Sequence, residues 1–309
     1  VALGGFSISE QVGLPSEPWG ELGYDSYRTR FALPPNGDPR WEGCWYRFRY
    51  GSVEFISIDN NDVNTEVPTN IGYSEGRQRA FVEQALGAAA ADPNVDFIIV
   101  LMHQAAFSNG LHGNDQGVRD AWFDLFATHG VDLVIQGHDH HYERTHLMDH
   151  DQVVHASEEG TYVSDLGTMY VVAGNGGGVQ RGEGLGSGAD FTAAIASQQI
   201  GTLKVEVVPD TGEGTKRLIL GEYSATLAGA PIEEGIVIER TRHPTAGTDE
   251  VTGAPREDAT MEVTPVTGAP AGITAIGLAA TAGAAAARSW VRGSTDDEVT
   301  ELRARREER

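Results

Sequence analysis

Two short apolar runs, "DFIIVLMH" (96–103) and "VDLVIQGH" (131–138), each end in a histidine and lie either side of a helical pattern. A run without polar alternation is what a strand buried on both faces shows. Between them, "GVRDAWFDLFATH" (117–129) sets Val118, Trp122, Leu125 and Phe126 at helical spacing. Upstream, 75–91 is rich in helix formers, with Phe81, Leu86 and several alanines available for one face. "CWYRFRYGSVEFISID" (44–59) reads as two strands joined at Gly51-Ser52, and "TMYVVAG" (168–174) as a further buried strand. Strand, helix, strand, helix, strand predicts an α/β layered domain with an at least partly parallel sheet. In such sheets ligands bind beyond the carboxyl ends of the strands, which is where both histidines fall. After residue 200 the short segments 200–208, 217–223 and 235–240 read as antiparallel edge or closing strands.

Composition narrows the partners. The 309 residues carry a formal charge of -23, with Lys204 and Lys216 the only lysines. Such a surface repels nucleic acid and anionic membranes, although bound cations can reverse the field inside a cleft and admit an anionic substrate. A single cysteine, Cys44, excludes an intrachain disulfide and a cysteine-based zinc site.

From about Thr241 the pattern changes. Residues 241–270 are Thr/Pro/Gly/Asp-rich, repeat Val-Thr-Gly-Ala-Pro at 251–255 and 266–270, and read as a disordered linker. Next, an uncharged stretch runs from Val263 to Ala287 and is followed by Arg288, Trp290 and Arg292, so 271–292 is read as a possible transmembrane helix anchoring the chain at the cell surface. Spanning needs about 20 mainly apolar residues, and arginines suit a cytoplasmic flank. An Ala-rich helix or low-complexity tail is the competing reading. Residues 293–309 form a charged tail.

Nine of the ten histidines lie between His103 and His155. His129, His146, His150, His155 and His243 read as ordinary hydrogen-bonded surface residues. His138 and His140 differ: they are two residues apart, directly after a buried strand, and Gly137 frees the backbone there to turn sharply. Imidazole is the commonest protein metal ligand, so this spacing points to a metal site, facing one ion or two neighbouring ones.

Gly137-His138-Asp139-His140, followed by His141-Tyr142-Glu143-Arg144, resembles the Gly-His-x-His motif of the calcineurin-like metallophosphoesterases. The trailing Tyr-Glu-Arg is similar to the purple acid phosphatase branch. Val100-Leu101-Met102-His103 resembles the preceding Val-x-x-His motif, and "WYRFRYGSVEFISID" and "GTMYVVAGNGGG" look like the family's segments in the family's order. The resemblance covers about 40–240. It implies a layered β-sandwich flanked by helices, with residues 1–240 as the C-terminal portion of the domain. It also implies a two-metal centre of iron with zinc or manganese, a phosphorylated small-molecule substrate and an extracellular location. By it, His103 and His138 bind one ion and His140 the other. His112 contacts the phosphate or protonates the leaving group, a task suited to an imidazole. Asp139, Tyr142 and Arg144 are expected around those ligands, with Glu143 and Arg144 locking the loop by an ion pair.

The family pattern also requires earlier Asp and Gly-Asn-His motifs. Here Gly5 and Phe6 follow "VALG" where Asn-His is expected, so about three of seven ligands are present. A carboxylate matters because two dications held by neutral imidazoles alone repel one another. Asp59, at the end of "VEFISID", is a poor substitute, since the family places no ligand there. Either the chain is part of a longer enzyme or it has lost the site. By itself it is expected to hydrolyse weakly or not at all, and to lack the colour of a ferric tyrosinate. The leading function is an acid phosphatase-like phosphomonoesterase. Alternatives are a non-catalytic cell-surface domain keeping part of the metal site, and a phosphodiesterase or nucleotide hydrolase. The Gly-rich loop 175–190 lacks P-loop spacing and reads as a flexible rim.

Overall fold

The computed structural model describes residues 30–157, 159–177, 189–208, 214–225 and 229–241. The Gly5-Phe6 position, the expected linker 241–270 beyond Thr241, the segment 271–292 expected to span a membrane, the tail 293–309, His243 and most of the expected rim 175–190 lie outside the described residues. Among the described residues no helix is long and apolar enough to cross a membrane.

Three layers stack: helices, a large mixed sheet, and a smaller sheet. Strands β1 (Tyr46–Tyr50) and β2 (Val53–Ser57) form the expected hairpin. Gly51, at φ 58, supplies the left-handed turn between them. Helix α1 (Arg77–Ala91) leads to β3 (Phe97–Leu101), and α2 (Gln116–His129) to β4 (Leu133–Gln136). The sheet is completed by β5 (Tyr142–Asp149), β6 (Gln152–His155), β8 (Thr168–Ala173) and β9 (Thr192–Ala196), in the order β1-β2-β3-β4-β8-β5-β6 with β9 pairing β5. Strands β2, β3, β4 and β8 run parallel, and the remaining neighbours are antiparallel. The second sheet runs β10 (Gly201–Val208), β11 (Thr215–Ser224), β12 (Pro231–Thr241) and β7 (Thr161–Val163).

The unbroken apolar run of β3 has a direct cause. Ile98 and Val100 face one way, into a core with Val82, Leu86, Val118, Trp122 and Phe126 from the helices. Phe97 and Ile99 face the other way, against Leu218, Leu220, Ile236 and Ile238 of the second sheet. Period-two alternation delivers successive side chains to opposite faces, and here both faces are dry. On α1 the buried positions are Gln78, Val82, Ala85, Leu86 and Ala89, one stripe at helical spacing.

Strand β5 has no such signature, and no strand is predicted there. Its sequence, "YERTHLMD", carries Glu143 and Arg144, both buried. Adjacent strand residues point to opposite faces, so the expected Glu143–Arg144 ion pair does not form. Glu143 meets His141 and Asn109 on the helix side. Arg144 meets Glu233 of β12 on the other, its Nη2 at 2.7 Å.

Candidate metal centre

Register brings the histidines together. Strands β3 and β4 pair in parallel with Leu101 opposite Ile135, and the ladder continues past both ends. Met102 N–H donates to the Ile135 carbonyl at 3.0 Å, and Gly137 N–H to that of His103 at 2.9 Å. His103 and His138 therefore leave adjacent parallel strands side by side. Nε2 of His103 lies 3.1 Å from Nδ1 of His138, with ring centroids 4.9 Å apart.

The sharp turn is made by His138, not by the preceding glycine. His138 has φ 72, in the left-handed region, while Gly137 is not among the positive-φ positions. A non-glycine residue holds that conformation only where its surroundings impose it. Here the imidazole is fixed at both nitrogens, Nδ1 against His103 and Nε2 at 2.5 Å from Oε2 of Glu66.

Glu66 is the residue the sequence reading missed. It sits in the loop after a short 3-10 turn, Asn60–Asp62, where nothing local marks it. Asp115, the N-cap of α2, places it: one carboxylate oxygen accepts Val118 N–H at 3.0 Å, and the other accepts Thr65 N–H at 2.8 Å and Thr65 Oγ1 at 3.0 Å. Oε1 of Glu66 then lies 2.8 Å from Nδ1 of His112, and the His112 and His138 ring centroids are 3.9 Å apart. Donor atoms of Glu66, His112 and His138 all fall within 4.8 Å of one another.

Asp139 does not turn to solvent. It is buried, accepts Ser108 Oγ at 2.5 Å, and accepts the backbone N–H groups of His112 and Gly113 at 3.0 and 3.3 Å. It thus fixes the backbone of the loop carrying His112. Glu143 holds the same loop one turn earlier, accepting Asn109 N–H at 2.8 Å while its other contacts reach His141 and Thr192. Tyr142 Oη and Arg144 Nε and Nη2 donate to Glu233 behind the sheet, and Arg144 Nη1 donates to Tyr162 Oη. The Asp59 carboxylate accepts Tyr73 Oη at 2.6 Å and Asn61 N–H at 3.1 Å, capping the 3-10 turn.

Burial pushes the His103 imidazole down to about 4, helped by the neighbouring His138, His140 and His112 rings. Burial also lowers His138, against the opposing pull of Glu66. Both are therefore neutral near pH 7, the form that carries a lone pair for a metal.

Residues 12–142 match the calcineurin-like phosphoesterase family, a span that takes in all four of these histidines and Glu66. Within residues 12–142 the chain is similar to the calcineurin-like phosphoesterases. Members of this family are metal-dependent, and the Glu66, His112 and His138 donors fit that requirement. The chain is 44% identical over 135 residues to Rv2577, an uncharacterized protein of Mycobacterium tuberculosis, covering 42% of this chain and 26% of that one. It is 30% identical over 178 residues to human acid phosphatase type 7, covering 51% of this chain and 38% of that protein. Its fold is similar to a purple acid phosphatase from yellow lupin seeds, with a TM-score of 0.56, 22% identity, and coverage of 76% of this chain and 40% of that one. The chain thus spans less than half the length of each of these relatives.

Proposed function

We propose that this domain hydrolyses phosphomonoesters at a metal centre held by His103, His138 and His140. The 3.1 Å approach of His103 Nε2 to His138 Nδ1, at the ends of adjacent parallel strands, carries the reading. Two nitrogens binding one tetrahedral ion at about 2.0–2.1 Å each stand roughly 3.3 Å apart, close to the observed spacing. The ions proposed are iron with zinc or manganese, as in the two-metal centres the sequence resembles. When bound they supply Lewis acidity and an activated water. The chain's own contribution is positional. Asp139 and Glu143 hold the 108–113 loop, Glu66 orients the His112 ring through Nδ1, and Nε2 of His112 serves the leaving oxygen. The acid phosphatase relatives support a phosphorylated small molecule as substrate.

A cell-surface location, with anchoring through 271–292, is proposed from the uncharged stretch and its following arginines. Separating membranes from the soluble fraction of expressing cells tests it, and a wholly soluble chain would end it.

The test of function is phosphate release from p-nitrophenyl phosphate by the full chain, with zinc, manganese or iron added after chelation. The expected result is slow, metal-dependent turnover that His138→Ala abolishes. Metal-independent turnover, or turnover unaffected by His138→Ala, sinks the reading.

A further inference from the structure

We propose that Glu222 is a positioning residue for the turn 137–141, acting through Asn175 and Gly174 from the inner face of the second sheet. Its side chain bonds Asn175 and not a histidine. Its bearing on turnover rests on the phosphoesterase reading above, whereas its hold on the turn is measured without turnover.

The contacts run in sequence. Glu222 is fully buried, and its Oε1 accepts Asn175 Nδ2–H at 2.8 Å. Asn175 is buried as well. The same nitrogen donates to the Gln199 carbonyl at 3.2 Å, and the Asn175 carbonyl accepts Gly201 N–H at 3.2 Å. The preceding residue, Gly174, donates its N–H to the His141 carbonyl at 3.2 Å. Gly174 lies so close to the turn that a Cβ on it would stand 1.9 Å from the Asp139 carbonyl oxygen and 3.6 Å from Cα of His140. The backbone carrying the motif histidines therefore rests on a glycine whose neighbour is tied to Glu222.

Gly201 makes room for the pair. A Cβ there would stand 2.1 Å from Glu222 Oε1 and 2.6 Å from Asn175 Nδ2, so the hydrogen bond fills the space a side chain would take. Glycine weakens a strand, and its place at the start of β10 marks this close approach. The other Glu222 oxygen, Oε2, is buried with no hydrogen-bond partner among the described residues. A neutral carboxyl is tolerable in that position, and an unpaired carboxylate is far costlier. Around Glu222, β12 presents Glu233, and β5 presents Tyr142 and Arg144, the last committed to Glu233 and Tyr162. Strand β10 presents Gly201 and Leu203. Among the described residues no uncommitted cation faces it, and burial raises the carboxyl to about 7 against the hydrogen bond from Asn175.

Ionisation favours drawing Glu222 toward water and away from Asn175. That frees the Gly174–Asn175 corner and loosens the turn resting on it. The neutral carboxyl holds the turn, and the charged one releases it.

The experiment is amide NMR of the isotope-labelled full chain between pH 5.5 and pH 8.5, with hydrogen-exchange protection read at Gly174. The Gly174 N–H and the Asn175 side-chain amide should titrate together with a midpoint of about 7, and protection at Gly174 should fall above it. Glu222→Gln, whose amide oxygen still accepts from Asn175, should abolish the titration and keep Gly174 protected at pH 8. Glu222→Ala and Gly201→Ala should lower protection at every pH, with circular dichroism confirming that each variant folds. In p-nitrophenyl phosphate turnover with metal added, wild type should lose about tenfold relative to Glu222→Gln between pH 6 and pH 8, since one unit above its midpoint only about a tenth of a carboxyl is neutral. A Gly174 titration that persists in Glu222→Gln, or unchanged Gly174 protection in folded Glu222→Ala, overturns the proposal. Parallel pH profiles for wild type and Glu222→Gln overturn its bearing on turnover. Absence of turnover in every variant sinks the phosphoesterase reading, and the amides then decide this one alone.

Discussion

The Asp139 carboxylate accepts the backbone N–H of His112 at 3.0 Å, so the residue between the two motif histidines holds the loop that presents a third. Asp139 also takes the Ser108 hydroxyl and Gly113 N–H. Asp139→Ala would leave the buried Ser108 hydroxyl without its acceptor, a loss of about 1–3 kcal/mol, and release the part-buried His112 and Gly113 amides to solvent. Expected are a lower urea midpoint and faster hydrogen exchange at the His112 and Gly113 amides. Unchanged exchange at those two amides would show that the loop holds itself.

The same carboxylate leaves no space beside Gly110. A Cβ there would overlap the Asp139 side chain, and one at Gly174 would overlap the Asp139 backbone carbonyl. The first could be relieved if a free carboxylate swung aside, but this one is hydrogen-bonded on both oxygens. Gly110→Ala should cost about 1–3 kcal/mol, and Gly174→Ala more, because a β-strand end must move. Thermal melts check both, and a neutral Gly174→Ala would refute the packing.

Glu233 joins the two sheets by accepting Arg144 Nε at 2.9 Å, Arg144 Nη2 at 2.7 Å and Tyr142 Oη at 2.5 Å. Arg144 is 4% exposed, so losing its partner strands a buried charge. Glu233→Ala is expected to cost about 3–5 kcal/mol, whereas replacing Arg144 and Glu233 together by Met and Leu should cost far less. Urea unfolding of the single and double variants measures this. Equal losses would mean that the pair contributes packing and not charge compensation.

Glu222 faces Glu233 across the β11–β12 ladder and is fully buried. Burial pushes its carboxyl up to about 7, and the hydrogen bond from Asn175 Nδ2 at 2.8 Å only partly opposes this. The native state therefore keeps a proton that the unfolded chain releases above about pH 4.3. With fewer protons bound by the unfolded state, stability falls as pH rises from about 4.3 to 7, by up to about 3 kcal/mol, and levels off above. Glu222→Gln should remove this component, so its advantage over wild type grows between pH 5 and pH 7.5. A constant difference across that range would show that Glu222 is ionised in the folded protein.

Much of the framework was legible because period reports burial. The runs ending at His103 and His138, and the stripes on 75–91 and 117–129, became β3, β4, α1 and α2 where expected. Strand β5 was hidden because Glu143 and Arg144 are buried through pairing with residues far along the chain, and a local pattern registers only their polarity. The role of Gly137 was misread for a related reason: which residue takes the left-handed turn depends on what holds the imidazole, not on which residue bends most freely.

By itself, the sequence determined that strands buried on both faces carry histidines to one edge of a parallel sheet, since hydrophobic period and strand polarity are local properties. It could not show that Glu66 meets His112 and His138. Those contacts span 46 and 72 residues and depend on Asp115 and Asp139 pinning two loops against each other. Only the tertiary structure decided that, because a carboxylate in a loop has no periodicity, and its chemistry depends on which side chains the packed sheet places beside it.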